Sequence, residues 1–395
     1  MPTLFEGFTE CAAPSGDRRA LQLTAGPGMC YPLYYYIPSF SGDGRFLVYH
    51  KSEAGQVQLY SLDMATGESI QLTHATAPAA ETQWRPWCVE AGAGVLDHRS
   101  VLNPVRGEVI YFDGGEVRAV NLSGAEDRRL FELPEGRLPI GQNCVTPDGR
   151  WFAYIHHDRE TYPLLYPRGD HVNGARRCLS EGTVLAAYNL DTGEHRDLVI
   201  INSPIHHVLP YGDEHLVFCH PANEPGMCLT DLRGGWYTHL RTQDERGGTV
   251  SHYVATRRGI AYEVMGRPDG FIGGIMDPFT HRRFEIPLPT HFSGIHPGRD
   301  PEGELWFYED NSPGTHAVYF LTAHDPENGN AWRDLTGHWP TYRNGQKSHF
   351  HPQLTPDRNW MLLTAGDPAT ESNHLFLLDI ADLEPTQGVT RVVDV

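Results

Sequence analysis

Ser41-Gly42-Asp43-Gly44-Arg45-Phe46-Leu47-Val48-Tyr49 opens a unit that continues through Val57-Gln58-Leu59-Tyr60-Ser61-Leu62-Asp63, Thr66-Gly67-Glu68 and Ile70-Gln71-Leu72-Thr73. It reads as a tight polar turn, a β-rich run, a polar loop, a second run ending near Asp, a Thr-Gly turn and a third run. Comparable turns and runs recur at 106–112, 148–154, 213–218, 258–263, 302–308 and 357–364, which makes seven copies spaced 42 to 65 residues apart. Long helical periodicity is absent. Each copy is too small to bury both faces of its own sheet, so the copies must stack on one another, and a ring of short antiparallel sheets is the architecture that does this. The expected fold is all-β, a seven-bladed β-propeller in a single domain over residues 1–395. The alternative for a chain of this size, a pair of β-sandwiches, does not repeat at this period.

Two features complete the expected ring. Arg19-Ala20-Leu21-Gln22-Leu23-Thr24 looks like the outer strand of a blade and is expected to close the ring from the N-terminal side. The third copy carries an insertion over 159–181, rich in Tyr, Arg and Gly, which is either a substrate loop or a passive surface excursion.

Composition narrows the function. The chain has 395 residues, 41 Gly and 30 Pro, and a formal charge of −19 with no run of Lys or Arg. That balance excludes nucleic acid and anionic membrane as main partners. An anionic substrate would need a site made locally positive by a metal or an arginine. The seven cysteines form no C-x-x-C pair and are odd in number, as expected of reduced thiols in the cytoplasm rather than a disulfide framework. The N-terminus has neither a basic nor an apolar signal region, and no apolar run reaches membrane-spanning length.

The chemistry sits in the last copy, at Gln346-Lys347-Ser348-His349-Phe350-His351, followed by Pro352-Gln353-Leu354-Thr355-Pro356-Asp357. On an extended strand His349 and His351 would project from one face, with the Gln346 amide oxygen close by. Two imidazoles and an oxygen form most of a divalent-metal site. A lone His-x-His is weak evidence, since paired surface histidines are common. Its register in the repeat strengthens it: His351 lies five residues before Pro356, His296 five before Pro301, His206 five before Tyr211 and Gln142 five before Pro147. His252 lies seven before Gly259. All five positions fall on the innermost strand of a blade, so polar side chains from separate blades would converge.

These residues resemble oligogalacturonate lyases, seven-bladed propeller polysaccharide lyases that cleave short pectin fragments. The strongest match is Gln346-x-x-His349-x-His351-Pro352-x-x-Thr355-Pro356-Asp357; weaker echoes are Phe218-Cys219-His220 and Tyr34-Tyr35-Tyr36 with Phe40. The resemblance implies Mn²⁺, or another divalent cation, held by His296, Gln346, His349 and His351. It further implies His252 as the base of a β-elimination and an acidic oligosaccharide as substrate. His206, His207, His220 and Arg85 are candidates for substrate contact. The match departs at Pro221-Ala222-Asn223-Glu224-Pro225-Gly226, where the family has Glu-Gly-Pro, and at Val208-Leu209-Pro210-Tyr211, where it carries an Arg. The arginine for the substrate carboxylate is therefore open among Arg85, Arg168, Arg176 and Arg177.

Four other readings compete. A lyase on another uronide, such as a rhamnogalacturonan or glucuronate oligosaccharide, would use the same residues. A non-catalytic propeller module would use the histidines as a structural metal clamp. A peptidase propeller would need a G-x-S-x-G elbow, which is missing. A glycoside hydrolase would need a carboxylate pair at the inner strands, where acidic residues are scarce.

Overall fold

The computed structural model describes residues 3–77, 93–159, 182–201, 205–220, 226–241, 248–292, 296–312, 314–342 and 346–389. Among these residues the strands form seven sheets; six are built from strands consecutive in the chain, and the last combines the C-terminal strands with two from the N-terminal region. This is the all-β, seven-bladed propeller architecture that the repeat implies. The described residues contain no α-helix.

Three of the copies open on the same hydrogen-bonded turn. In the first copy the Ser41 hydroxyl donates to Asp43, whose carboxylate accepts from the Arg45 amide, while Phe46 N–H returns to Ser41 Oγ. Thr146, Asp148, Arg150 and Trp151 make the same set of bonds. So do Thr355, Asp357, Asn359 and Trp360. Gly44 and Gly149, both with φ of 71°, supply the left-handed step that such a turn needs.

The chain makes two compact units, one of residues 1–54, 62–69 and 252–395 and the other of residues 55–61 and 70–251. In the first, Thr9–Ala12 and Arg19–Gln22 join the last sheet as its two outer strands. Ala20, Leu21 and Gln22 lie opposite Leu378, Leu377 and Phe376. The sequence-matched segment 19–24 is thus where the N-terminal strand pairs. Arg18 anchors the junction, donating to the Asp379 carbonyl at 2.6 Å and to Asp382 at 2.7 Å.

Stacked sheets bury strands on both faces, so several middle strands, such as Trp306–Asp310 and Gly226–Asp231, are buried along their whole length. Phe307 and Phe320 of the sixth sheet pack with Met361, Leu363 and Phe376 of the seventh. Ile275 and Ile286 of the fifth pack against Trp306 and Tyr308 of the sixth. In the second unit Ile155 and Leu185 meet Leu216, Phe218 and Cys228 in the same way. Against this background a fully buried carboxylate inside a middle strand is conspicuous: Glu263 in Gly259–Met265 and Glu309 in Trp306–Asp310 are both 0% exposed. Cys11, Cys30, Cys144, Cys219 and Cys228 are free thiols. The insertion expected at 159–181 falls outside the described residues apart from Arg159.

Candidate functional site

Four of the expected histidines converge within the first unit. His252 stands on Thr249–Thr256, the first strand of the fifth sheet. His296 immediately precedes Pro297–Arg299, the first strand of the sixth. That strand lies tight on its partner: a Cβ at Gly298 would come 1.6 Å from a Phe307 ring atom. His349 and His351 precede Gln353–Leu354, the first strand of the seventh.

The expectation of an extended strand at 349–351 is corrected. Gln346–Ser348 forms a 3₁₀ turn, and His351 has φ of 46° in the left-handed region. The amides of Phe350 and His351 donate to the Glu309 carboxylate, at 2.6 and 3.2 Å, instead of to a neighbouring strand. The two imidazoles therefore meet through a turn around buried Phe350, not through the period of a strand.

One ring nitrogen from each of His296, His349 and His351 lies within 4.8 Å of the others, a spacing that one cation can bridge. His296 is 1% exposed. Its Nδ1 bonds Glu309 Oε2 at 2.8 Å, and its buried Nε2 has no hydrogen-bond partner among the described residues. A buried imidazole nitrogen left in that state is what a metal ligand requires, so the trio fits a divalent cation. Asn311 Nδ2 reaches both His296 Nδ1, at 3.5 Å, and His349 Nδ1, at 3.4 Å. Gln346 belongs to the 3₁₀ turn, and its side chain lies outside the described set.

His252 sits beside this trio, its ring centroid 4.5 Å from that of His296. Its Nδ1 makes a short hydrogen bond to Glu263, which is fully buried. Tyr35 completes the wall. Its ring is 4.8 Å from His296 and 5.7 Å from His252, and its hydroxyl donates to the Tyr253 carbonyl and accepts from the Tyr253 amide. Tyr34 packs 4.7 Å from His351 and is tied at its carbonyl by the Gln353 amide.

The two buried glutamates are driven apart electrostatically. Burial, reinforced by the charge of Glu309, pushes the Glu263 carboxyl well above the usual carboxylate range. Burial also disfavours ionised Glu309, but the charge and hydrogen bond of His296, with the His316 bond and His349, outweigh it and hold the group well below that range.

The remaining expected residues lie elsewhere. His206 and His207 are buried in the second unit, each 7% exposed, and their backbones are engaged by Cys219 and Gln142. His220 ends the strand His215–His220 with its side chain outside the described set, and Arg85 is outside the described residues. Sequence reasoning missed Glu263, Glu309 and His316. The available signal was a Tyr-Glu pair, Tyr262-Glu263 and Tyr308-Glu309, inside otherwise apolar strands.

Fold and site together define a propeller in which three histidines, close enough to share one cation, stand beside a histidine–carboxylate pair. No family model matches the chain. It is 22% identical to the oligogalacturonate lyase of Dickeya dadantii (strain 3937), over 92% of this chain and 93% of that protein. Among solved structures, an oligogalacturonate lyase in complex with manganese matches with a TM-score of 0.74 at 20% identity, covering 95% of this chain and 96% of the other. The oligogalacturonate lyase of Vibrio parahaemolyticus matches with the same TM-score of 0.74 at 17% identity, covering 95% and 97%. These likenesses establish the seven-bladed fold. A puromycin hydrolase is more distant, with a TM-score of 0.53, and this chain covers 57% of its length.

Proposed function

We propose that the protein is a lyase that cleaves short uronic-acid oligosaccharides, pectin-derived oligogalacturonides first among them, by β-elimination at a divalent-cation site. The observation that carries this reading is the placement of His252, with Glu263 on its Nδ1 and its ring 4.5 Å from His296 of the candidate metal trio. The full-length similarity to an oligogalacturonate lyase, at 22% identity, supports the substrate class.

A cation such as Mn²⁺, held by His296, His349 and His351 with Gln346 as the expected fourth ligand, would act as a Lewis acid toward charge gathering on the uronate C6 carboxylate. It would also make one point of a chain with net charge −19 attractive to an anionic sugar. His252 is the base. With its Nδ1–H donated to Glu263, it presents Nε2 to the C5 proton, and an imidazole is suited to that transfer near neutral pH. The C5–H electron pair becomes the C4–C5 double bond, the C4–O4 bond breaks, and the departing oxygen takes a proton from water. Tyr35 holds the wall behind the base through its two bonds to the Tyr253 backbone.

The test is ultraviolet absorbance of the conjugated unsaturated product. Purified protein is mixed with di- and trigalacturonate, a rhamnogalacturonan fragment and a glucuronate oligomer, with and without Mn²⁺. A cation-dependent rise on the galacturonates supports the proposal. A rise on another uronide alone reassigns the substrate. Bound cation without product on any of them favours a carbohydrate-binding propeller with a structural metal.

A further inference from the structure

Glu309 is a carboxylate surrounded by donors. Oε2 accepts from His296 Nδ1 at 2.8 Å and from the His351 amide at 3.2 Å. Oε1 accepts from the Phe350 amide at 2.6 Å and bonds His316 Nδ1 at 3.1 Å. Glu309 is 0% exposed, and so is His351. Two of the four partners are backbone N–H groups, one on each oxygen, and their direction does not depend on any tautomer. Both oxygens must therefore be acceptors, a condition that a carboxylate meets and an amide does not. A glutamine here would point its NH₂ at a backbone N–H whichever way it turned.

Two consequences reach the cation site. Because Oε2 also takes an amide hydrogen, it faces His296 as an acceptor, which puts the imidazole hydrogen on Nδ1 and leaves the lone pair on buried Nε2. The bonds to the Phe350 and His351 amides hold a turn whose second residue has φ of 46°, a conformation that a non-glycine residue adopts only when its surroundings impose it. The same carboxylate thus orients a ligand from the sixth sheet and the backbone carrying two ligands of the seventh.

We propose that Glu309 is the positioning residue of the cation centre: it fixes the ligating tautomer of His296 and clamps the turn bearing His349 and His351, so that the three imidazoles stand ready before the cation arrives. His316 fills the last position around Oε1, with its ring 5.3 Å from His349. The inference rests on the metal part of the proposed function and is independent of the elimination chemistry.

The test uses Mn²⁺ alone as probe. Metal-free wild type and Glu309→Gln are titrated with Mn²⁺ by the electron paramagnetic resonance of the free ion, with circular dichroism and thermal unfolding as checks on the fold. Loss of an outer-shell partner of this kind weakens metal binding by about 10- to 100-fold, and that is the expected result for a folded variant. A folded Glu309→Gln protein whose affinity stays within threefold of wild type overturns the proposal. If the variant does not fold, ¹⁵N spectra of metal-free wild type decide, with His296→Asn used to assign the signal. A His296 protonated at Nδ1 supports the role, and one protonated at Nε2 overturns it. Wild type that binds no Mn²⁺ refutes the metal reading itself and this inference with it, whereas equal binding by both proteins refutes only the inference.

Discussion

Replacing Glu263 by Gln separates the charge of the histidine–carboxylate pair from its geometry. The amide oxygen can still accept from His252 Nδ1, so the imidazole keeps its orientation; what disappears is the negative charge opposite a ring that becomes cationic on taking the C5 proton. Hydrogen bonds to charged partners are worth about 1.5–3 kcal/mol and neutral ones about 0.5–1.5, so the loss is on the order of 1–1.5 kcal/mol. At about 1.4 kcal/mol per factor of ten, kcat should fall roughly 5- to 15-fold at the plateau. The pH profile carries the sharper signature. Burial and then Glu309 push Glu263 upward, so the pair retains its proton past the point where an ordinary carboxyl would lose it. Activity appears only once that proton has left and His252 can accept another, so it should rise with pH. Without the anion the imidazole releases its proton more readily, and the acid limb of Glu263→Gln should move to lower pH. The assay is initial-rate absorbance on trigalacturonate from pH 5 to 9, with thermal unfolding as a check on the fold. A folded variant with the wild-type plateau and the wild-type acid limb would refute the dyad.

His252→Ala should lower kcat by about 10²- to 10⁴-fold, the usual contribution of a positioned base, while Mn²⁺ titration shows the cation still bound. Removing the cation with a chelator should abolish activity and lower the unfolding temperature, since a cation at 100 times its Kd stabilises by about 2.7 kcal/mol; calorimetry with and without added Mn²⁺ checks this. A pH effect on stability is expected from the second unit. His156, which accepts from Arg137 Nε at 2.9 Å, is held down to about 3 by burial and then by Arg137, and His157 to about 4 by the same causes. Both are neutral in the folded state and protonate on unfolding, so their contribution is complete above about pH 6.5 and is lost as pH falls toward 4 and 3. The slope for His156 is about 1.4 kcal/mol per pH unit, and denaturant midpoints of His156→Gln should show a shallower fall below pH 6.5 than wild type.

The blades were legible because their punctuation is chemical. The Ser/Thr-x-Asp turn at 41–43, 146–148 and 355–357 uses the same three hydrogen bonds each time, so the residues that mark the repeat also build it. The N-terminal strand was legible because Ala20 and Leu21, which pair beside Leu378 and Leu377, continue the apolar character of the sheet they join. The convergence of His252, His296, His349 and His351 followed from counting back from those turns. Register carried that inference even though the local conformation assumed at 349–351 was not the one adopted.

What the sequence hid was the partner of each histidine. A rule that looks along the first strand of each blade finds imidazoles, but their orienting groups lie on the second strand, 11 residues after His252 and 13 after His296. On a middle strand stacked on both faces, Glu263 and Glu309 look like errors in an apolar run, and that is the clue: burying an ionisable group costs several kcal/mol unless specific partners compensate. Histidines supply that compensation: Glu263 has His252, and Glu309 has His296 and His316. The same logic explains why the turn at 349–351 could not be read locally. The left-handed φ of His351 is imposed by a carboxylate 42 residues away in the chain, accepting from an amide that carries no mark of that bond in the sequence. Side-chain chemistry announces the ligands of such a site, whereas backbone amides set its geometry.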